Sequence, residues 1–464
     1  PSSRDLYAAK KRIARNCFKS SALDRVVARI RSQMSDADRE AQIVLIRKSF
    51  QTNTMKKKTK PIVPRIATTK APVSVLRVVQ DLASGIYEGA FVSKDGALGW
   101  LAFEPAFNLD EWHLQPIGET LYSGRLGIAL FFAALAKISK EKKWRIAALQ
   151  CLIPLRAALA EPPNTIGPIV HSMGGMAGIG SLLYGLLCIS RLIEMPSLAL
   201  EGISLIDQFD EATFELDTEG DLIYGSAGLL LALSTYSVLV EAPQALRLAA
   251  QCVRYLISKA ESYHTPEPSN VHLGLSHGAS GIALALLRAT KILPDQASML
   301  TEAAAKALAY ERRFFSEKER NWPRLNSQES IMQYQSSWCH GATGIGLMRL
   351  SVLSLLPQDL YIRNEIDTAL QTTIAYLNQG SLTLCCGLAG RLEFLHAARH
   401  VLKTDDLSAT IADAIATLAH NIQLPHVVDA QHNPGLMQGA AGLGFSLLRA
   451  IDHHKMLPNI LTLS

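Results

Sequence analysis

The sequence is poor in aromatic residues and has no long uninterrupted apolar stretch. Phe, Trp and Tyr make up 6% of the 464 residues, although hydrophobic residues as a whole make up 48%. Such a mixture, rich in Ala and Leu, favours packed helices over sheets. No apolar run reaches the roughly 18 to 20 residues needed to span a bilayer. No secretory signal opens the sequence, so we expect a cytoplasmic protein with no membrane partner.

The sequence also lacks the cysteine pattern of a disulfide-rich protein. Its cysteines form an odd set, and most of them lie in sequence with helical periodicity. They are Cys17, Cys151, Cys188, Cys252, Cys339, Cys385 and Cys386. This distribution favours a reducing compartment in which thiols are free or bound to metal.

The net charge of +5 is spread unevenly along the chain. Residues 1–70 carry eighteen Lys and Arg against five Asp and Glu, whereas the remaining residues carry 28 against 36. The basic segment has no helix-turn-helix spacing, no zinc-finger spacing and no aromatic platform. We therefore predict a solvated basic helix and linker, with no nucleic acid among the partners.

The first 65 residues differ in character from the rest. Apolar residues recur at helical intervals among charges over 21–50, whereas 52–64 is charged, poor in apolar residues and closed by two prolines. The first pattern predicts helix and the second a linker. Because Pro1 is not a natural first residue, we predict that residues 1–65 are the tail of a preceding domain plus a basic linker. Residues 66–464 are then a separate domain.

One motif recurs seven times beyond residue 70. Each copy closes a loop with Gly-x-x-Gly and then enters an apolar helix. The first glycines are Gly124, Gly175, Gly225, Gly278, Gly341, Gly387 and Gly439. A period close to fifty residues indicates an array of supersecondary units.

A second, amphipathic helix is predicted between the copies, for example over 243–263 and 405–423. Residues 71–86 supply such a helix before the first copy. If each outer helix precedes its inner partner along the chain, the last inner helix packs against the first outer–inner pair and closes the ring. We therefore predict an all-α, seven-fold α/α toroid, with inner helices apolar on most faces and outer helices on a single stripe.

The glycines themselves belong to this architecture. Glycine allows a tight turn into a helix and a close approach of backbones where seven helix ends converge. Phosphate binding is a weak alternative, because no copy continues into Gly-Lys-Ser/Thr. We expect catalytic or ligand-binding residues at the positions where the copies differ, just before each first glycine. These positions face one end of the central cavity.

Three cysteines occupy this rim position. Cys339 precedes Gly341, and Cys385 with Cys386 precedes Gly387. Zinc takes thiolate ligands, and a catalytic zinc site has three protein ligands with the fourth position open. We predict one Zn²⁺ on these cysteines, in preference to reactive thiols or a strained vicinal disulfide. Three thiolates make the zinc electron-rich, which favours activation of a substrate thiol over activation of water.

His277, His340 and Asp221 lie at the same rim and are candidate acid/base groups. Either histidine could accept the proton that leaves a thiol, or deliver one to a developing carbanion or enolate. Asp221 could orient such a histidine. A single Asp at a turn is more often a cap, and a single loop histidine is more often inert. Their shared position is the reason for proposing a role.

Residues from about 72 to 450 resemble the lanthionine-forming cyclase family. The segment 114–132 (LQPIGETLYSGRLGIALFF) resembles the opening of the cyclase domain in class II (LanM-type) lanthipeptide synthetases, in which a dehydratase domain precedes the cyclase. The other matching motifs are Asp221-Leu222-Ile223-Tyr224-Gly225, Ser276-His277-Gly278, Trp338-Cys339-His340-Gly341 and Cys385-Cys386-Gly387.

The resemblance implies a seven-fold α/α toroid with zinc at one mouth, and a defined reaction. The dehydratase converts Ser and Thr of a leader-bearing precursor peptide into dehydroalanine and dehydrobutyrine. The cyclase then adds peptide Cys thiols across those double bonds, which forms lanthionine and methyllanthionine rings. By motif match Cys339, Cys385 and Cys386 are zinc ligands, and His277 and Asp221 are the acid/base candidates.

The sequence departs from the family pattern at two places. Most members have Cys-His-Gly where this chain has Cys385-Cys386-Gly387, so the third ligand is a thiolate, as in the three-cysteine subgroup that includes prochlorosin synthetase. Stand-alone cyclases carry an arginine shortly before the first zinc cysteine and a tyrosine after it. Gln335 and His340 stand there in this chain, so His340 ranks below His277 as a catalytic candidate.

Three other interpretations remain open at the level of sequence. One is a relative that adds glutathione to dehydrated residues of proteins, which the dehydratase-like segment 21–50 disfavours. Another is a non-catalytic, zinc-stabilised scaffold that binds peptides. A third, an α/α toroid glycosidase, needs paired carboxylates, and the rim supplies only Asp221.

Overall fold

The structure is a computed structural model that describes most of the chain. The described residues are 4–8, 11–33, 39, 42–43, 46, 74–105, 112–161, 172–207, 209, 214, 217–262, 272–324, 332–424 and 433–464. They divide into two compact units. The first comprises Pro1–Thr59 with Glu104–Leu114, and the second comprises Lys60–Phe103 with Gln115–Ser464.

The first unit contains an antiparallel pair of strands and a described helix. The elements are β1 (Leu6–Ala8), β2 (Lys11–Ala14) and α1 (Ala22–Gln33). Ser21 caps α1, because its hydroxyl accepts from the Asp24 amide and donates to the Asp24 carboxylate, at 3.0 and 2.7 Å. The helix predicted in 21–50 is thus confirmed over its first part, and the predicted linker at 52–64 lies outside the described residues.

The second unit is dominated by helices. In chain order they are α2 (Val75–Glu88), α3 (Arg125–Ser139), α4 (Lys142–Leu159), α5 (Ile179–Leu192), α6 (Ser197–Glu201), α7 (Ile203–Ile206), α8 (Ser226–Leu239), α9 (Pro243–Ser262), α10 (Ala279–Ala289), α11 (Ala297–Arg312), α12 (Ala342–Val352), α13 (Ile362–Ala375), α14 (Leu388–Leu402), α15 (Ser408–Gln423) and α16 (Ala440–Ile451).

Short strands between the helices form two-stranded ladders. Within the described residues they are β3 (Phe91–Val92) with β4 (Leu98–Gly99), β5 (Leu101–Pro105) with β6 (Trp112–Pro116), and β7 (Pro323–Arg324) with β8 (Gln333–Tyr334). The β7–β8 pair precedes α12 and pairs Arg324 with Gln333.

The helices are arranged as an inner and an outer ring, as their burial shows. In the inner helix α5, twelve of fourteen residues are buried, whereas in the outer helix α9 seven of twenty are buried. The buried residues of α9 recur at helical spacing and so form a single stripe. The predicted contrast between inner and outer helices is therefore confirmed. Among the described helices, none combines the length and apolarity needed to cross a membrane.

The inner ring closes on itself. The helices α3, α5, α8, α10, α12, α14 and α16 each pack on their two neighbours, and α16 packs on α3. The predicted seven-fold α/α toroid is confirmed. The pairing order differs from the one we considered, because outer helices pack mainly on the inner helices that precede them. Only two residues, Lys140 and Glu141, separate α3 from α4, and the early helix α2 packs on the last inner helix.

A ring of hydrogen bonds links all seven repeats at the end where the inner helices begin. Six links use backbone amides, and one, between the fourth and fifth repeats, uses the Ser276 hydroxyl, which donates to the Cys339 carbonyl at 3.0 Å. The amide links run from Tyr122 to Met176, Met176 to Ile223, Leu222 to Ser276, Cys339 to Cys385, Cys385 to Met437 and Met437 to Tyr122. We call this set the rim ring.

Each inner helix has a glycine as its N-cap, and one of these glycines corrects the sequence alignment. The second inner helix begins after Gly178, whereas the repeat pattern had placed Gly175 there. In the structure Gly175 stands where other repeats have Leu or Trp. A Cβ on it would lie 2.4 Å from a methyl carbon of Leu463, so the C-terminal segment fills the space of the absent side chain.

The C-terminal segment lies among the inner helices and fills the centre of the ring. Leu457, Ile460, Leu461 and Leu463 are buried. The Trp338 indole donates to the Leu461 carbonyl at 2.9 Å. The toroid therefore has a packed centre below the mouth where the cysteines lie.

Candidate metal centre

The three predicted ligands lie together at the mouth of the toroid. The Sγ atom of Cys386 is 3.5 Å from that of Cys339 and 3.2 Å from that of Cys385. All three sulfur atoms fall within 4.8 Å of one another, and all three thiols are free. Cys339 and Cys385 are buried, and Cys386 is partly exposed. The sequence thus predicted a juxtaposition that requires residues 46 positions apart to meet.

The loops before α12 and α14 position these cysteines. Cys339 and Cys385 are structurally equivalent, each two residues before the N-cap glycine, and the Cys339 amide donates to the Cys385 carbonyl at 3.3 Å. Cys386 occupies the next position, which is equivalent to those of His277 and His340. The three cysteines therefore use two rim positions, whereas the sequence analysis had grouped them at one.

Hydrogen bonds among the three sulfur atoms shift the pKa values of the thiols in opposite directions. Bonds from Cys385 and Cys386 hold the pKa of Cys339 well below the usual thiol value. The same contact with Cys339 raises the pKa of Cys385 well above that value and the pKa of Cys386 to about 12. Cys339 is therefore the thiol of the three that ionises most readily, with Cys385 and Cys386 as its hydrogen-bond donors. A metal ion that binds all three sulfur atoms must displace two protons.

The donor set suits a zinc ion. Three thiolates in contact are soft ligands of the kind that favour Zn²⁺, and three protein ligands leave a fourth position for a substrate. Among the described residues, this is the group of Cys, His, Asp and Glu side chains whose ligand atoms come close enough to hold one ion.

His277 and Asp221 form a directly hydrogen-bonded pair beside the cysteines. The Nδ1 atom of His277 is 2.6 Å from Oδ2 of Asp221, whose side chain is fully buried. The other carboxylate oxygen accepts from the amides of Tyr224 and Gly225, at 2.6 and 2.9 Å. Because a carboxylate is an acceptor, Nδ1 carries the hydrogen and Nε2 is left for proton transfer.

His340 lies next to His277, with ring centroids 6.1 Å apart. Burial lowers the pKa of His340 to about 4, and the positive charge of Arg324 adds to the effect. Its Nδ1 atom is buried and has no hydrogen-bond partner among the described residues. His340 is thus a neutral imidazole at neutral pH, without the carboxylate that fixes the orientation of His277.

Three further residues belong to the site, and the sequence analysis assigned them no role. The Tyr122 hydroxyl lies 3.2 Å from Sγ of Cys385, and the Ser337 hydroxyl lies 3.3 Å from Sγ of Cys339. The positive charge of Arg324 acts on both Cys386 and His340. Tyr122 could have been found from its rim position, which matches that of Cys339. Arg324 comes from β7, outside the repeated motif.

The family of lanthionine synthetase C-like proteins matches residues 115–462, which is three quarters of the chain. This match covers all seven inner helices and the three cysteines. The chain belongs to the lanthionine synthetase C-like family.

One of two similar solved structures supports the toroid fold. Nisin cyclase is similar over 75% of this chain and 93% of its own, with 17% sequence identity and a TM-score of 0.57. An unsaturated glucuronyl hydrolase from Bacillus sp. GL1 aligns over 66% of this chain and 85% of its own, at 15% identity and a TM-score of 0.40. Only the first likeness is close enough to support the lanthionine synthetase C-like toroid.

Proposed function

We propose that the chain is a zinc-dependent lanthionine cyclase. In this proposal peptide Cys thiols add to dehydroalanine or dehydrobutyrine residues of the same peptide, which forms (methyl)lanthionine rings. The family membership of residues 115–462 supports this activity. The observation that carries the proposal is the placement of the three-thiol cluster and the His277–Asp221 pair at one mouth of the toroid.

Cys339, Cys385 and Cys386 would hold one zinc ion, and each would contribute a thiolate. When bound, zinc stabilises a substrate thiol as the thiolate at neutral pH and so supplies the nucleophile. The Tyr122 hydroxyl donates to Sγ of Cys385, and the Ser337 hydroxyl lies 3.3 Å from Sγ of Cys339. Three protein ligands would leave a fourth position on the zinc for the substrate thiol.

His277 would exchange the proton in this reaction. Its Nε2 accepts the proton of the substrate thiol and later returns one to the α-carbon of the enolate that forms when sulfur adds to the double bond. Asp221 orients the ring and stabilises the imidazolium that forms between these two steps. We assign His340 a smaller part, because it is neutral and has no carboxylate partner among the described residues.

The wider setting is part of the same proposal. We propose that residues 1–65 are the end of a dehydratase domain and its linker, as in class II lanthipeptide synthetases, and that 66–464 is the cyclase domain. The dehydrated precursor peptide with its leader is then the partner. Free thiols in both enzyme and substrate suit the reducing cytoplasm.

The first prediction tests this function with a dehydrated, Cys-containing peptide. Incubation with the zinc-loaded chain should consume free peptide thiols without a change of peptide mass, and a zinc chelator should stop the reaction. The Cys339→Ala variant should lose zinc and activity while keeping the helical content of the wild type. Free thiols counted by alkylation and mass spectrometry provide the measurement.

Other outcomes of this experiment separate the alternatives. Unfolding of Cys339→Ala, with no thiol consumption by the wild type, would indicate a structural metal in a peptide-binding scaffold. A mass gain in the presence of glutathione, with peptide thiols left free, would indicate a glutathione-adding enzyme instead.

A further inference from the structure

Tyr122 occupies, in the first repeat, the rim position that cysteine occupies in the fifth and sixth repeats. Its hydroxyl oxygen is 3.2 Å from Sγ of Cys385, and Nε2 of Gln438 is 3.0 Å from the same oxygen. An amide N–H can only donate, so the phenol oxygen accepts from Gln438. The phenol proton is therefore directed at the sulfur atom. Gln438 and Tyr122 form a two-step donor chain that ends on Cys385.

The backbone fixes this contact from both sides. The Tyr122 amide donates to the Met176 carbonyl, and the Tyr122 carbonyl accepts from the Met437 amide, both at 2.9 Å. The Cys385 amide donates to the carbonyl of the same Met437 at 2.9 Å. Tyr122 and Cys385 are therefore both hydrogen-bonded to Met437 within the rim ring. The position of the phenol relative to the sulfur follows from the closure of the ring itself.

The three thiols have unequal surroundings. Cys385 receives the Tyr122 hydroxyl, and Cys339 lies 3.3 Å from the Ser337 hydroxyl. Among the described residues, Sγ of Cys386 contacts the other two sulfur atoms and no hydroxyl group. In the part of the chain that the structure describes, the hydroxyl proton is directed at sulfur only at Cys385, since the Ser337 hydroxyl donates to the His340 carbonyl at 3.1 Å.

We propose that Tyr122 is a positioning residue of the metal centre, which orients Cys385 and withdraws charge from its thiolate. The proposal rests on the zinc centre proposed above. Three thiolates around a divalent ion give a net charge of about −1, and a substrate thiolate adds another negative charge. A hydrogen bond to an ionised group is stronger than one between neutral groups and offsets part of this charge.

The second prediction is that Tyr122→Phe weakens zinc binding while the fold is kept, since the aromatic ring that packs at the rim is retained. Loss of a hydrogen bond to a metal ligand lowers affinity by about 10- to 100-fold. In the cobalt-substituted protein the sulfur-to-metal charge-transfer band should move to longer wavelength, because a thiolate without a donor releases its electrons more readily. Chelator competition and absorption spectra provide the two readouts.

The matched control is Tyr361→Phe, which removes the hydroxyl of an exposed tyrosine between α12 and α13. It should leave both readouts at wild-type values. A wild-type affinity and cobalt spectrum in Tyr122→Phe would overturn the proposal. That result is distinct from failure of the proposed function, in which the wild-type chain itself would bind no zinc.

A second substitution covers the case in which Tyr122→Phe does not fold. Replacement of Tyr122 by 3-fluorotyrosine keeps the size of the side chain and makes the phenol a stronger donor. The cobalt band should then shift to shorter wavelength, opposite to the shift in Tyr122→Phe. An unchanged band would contradict a donor role for this hydroxyl.

Discussion

The His277–Asp221 pair shows how a single buried carboxylate sets the chemistry of a neighbouring residue. The Asp221 side chain has no exposed surface, and its two oxygens are divided between the His277 ring and two backbone amides. The amide contacts hold the carboxylate in place, and the carboxylate in turn holds the hydrogen on Nδ1. The proton transfer proposed for His277 therefore depends on geometry that the loop imposes before a substrate arrives.

The third prediction is that Asp221→Asn slows cyclisation by about 10²- to 10⁴-fold without loss of zinc. The asparagine oxygen can still accept from Tyr224 and Gly225, but its NH₂ group then faces Nδ1 of His277. The ring must move its hydrogen to Nε2, which can no longer accept the thiol proton. Single-turnover rates and the zinc content of the same samples check this outcome.

A suitable control for Asp221→Asn is Glu219→Gln on the same loop. Glu219 lies 3.8 Å from His272, and both side chains are nearly half exposed, so the change should alter the rate by less than about threefold. Equal losses in the two variants would argue for a general electrostatic effect and against a specific His277–Asp221 pair.

The fourth prediction concerns the pH dependence of zinc binding. Since the pKa of Cys385 and Cys386 is raised and that of Cys339 is lowered, we expect two of the three thiols to be protonated at neutral pH. Each proton released on binding makes the affinity rise about tenfold per pH unit, so two protons give about 100-fold per unit between pH 6 and 8.

Chelator competition at several pH values measures this slope. Calorimetry in buffers of different ionisation enthalpy counts the released protons independently. A slope of about 1000-fold per unit would mean that Cys339 is also protonated in the metal-free protein. That result would contradict the lowered pKa of Cys339 in the three-thiol cluster.

At the scale of elements, the glycine-led inner helices set how closely neighbouring repeats approach. The third residue of α8, Gly228, packs so tightly that a Cβ would lie 1.9 Å from the Leu222 carbonyl and 2.2 Å from the Gly175 amide. Both neighbours are backbone atoms, which cannot rotate away. A side chain at this position would have to push two repeats apart.

The fifth prediction follows from that spacing. Gly228→Ala should destabilise the second unit by about 1–3 kcal/mol, a cost typical of overpacking in a filled core. The midpoint of thermal unfolding, measured by circular dichroism, should fall by several degrees. Gly118→Ala is the matched control, because a Cβ there meets nothing within 4 Å. Similar midpoints for the two variants would show that the repeats can separate at little cost.

The sequence predicted these elements better than it predicted their pairing. The spacing of apolar residues distinguishes inner from outer helices. A helix buried on all faces, such as α5, is apolar almost throughout, whereas a helix buried on one face, such as α9, has a single apolar stripe. It carries no information on which neighbour an outer helix packs against. The register of the second repeat was missed because Gly174-Gly175 and Gly178 offer two alignments, and the structure selects Gly178 as the N-cap of the helix.

At the scale of the whole molecule, the sequence predicted that the three cysteines meet, because equivalent positions in a closed ring converge on one mouth. It did not predict the contact between Tyr122 and Cys385. Those residues belong to the first and sixth repeats, and they meet only because the seventh lies between them and closes the ring. The charge of Arg324 escaped notice because β7 is absent from the repeated motif.

Closure of the ring also determines when the metal site can form during synthesis of the protein. Helix α2 packs on α16, and their first residues, Val75 and Ala440, are 365 positions apart. At about 5–20 residues per second, a ribosome needs roughly 20 to 70 s to make the intervening chain. Until then the apolar face of α2 lacks α16, its main partner, and Met437 is not yet present to hold Cys385 and Tyr122. The site should therefore become able to retain metal only when synthesis of the ring is nearly complete.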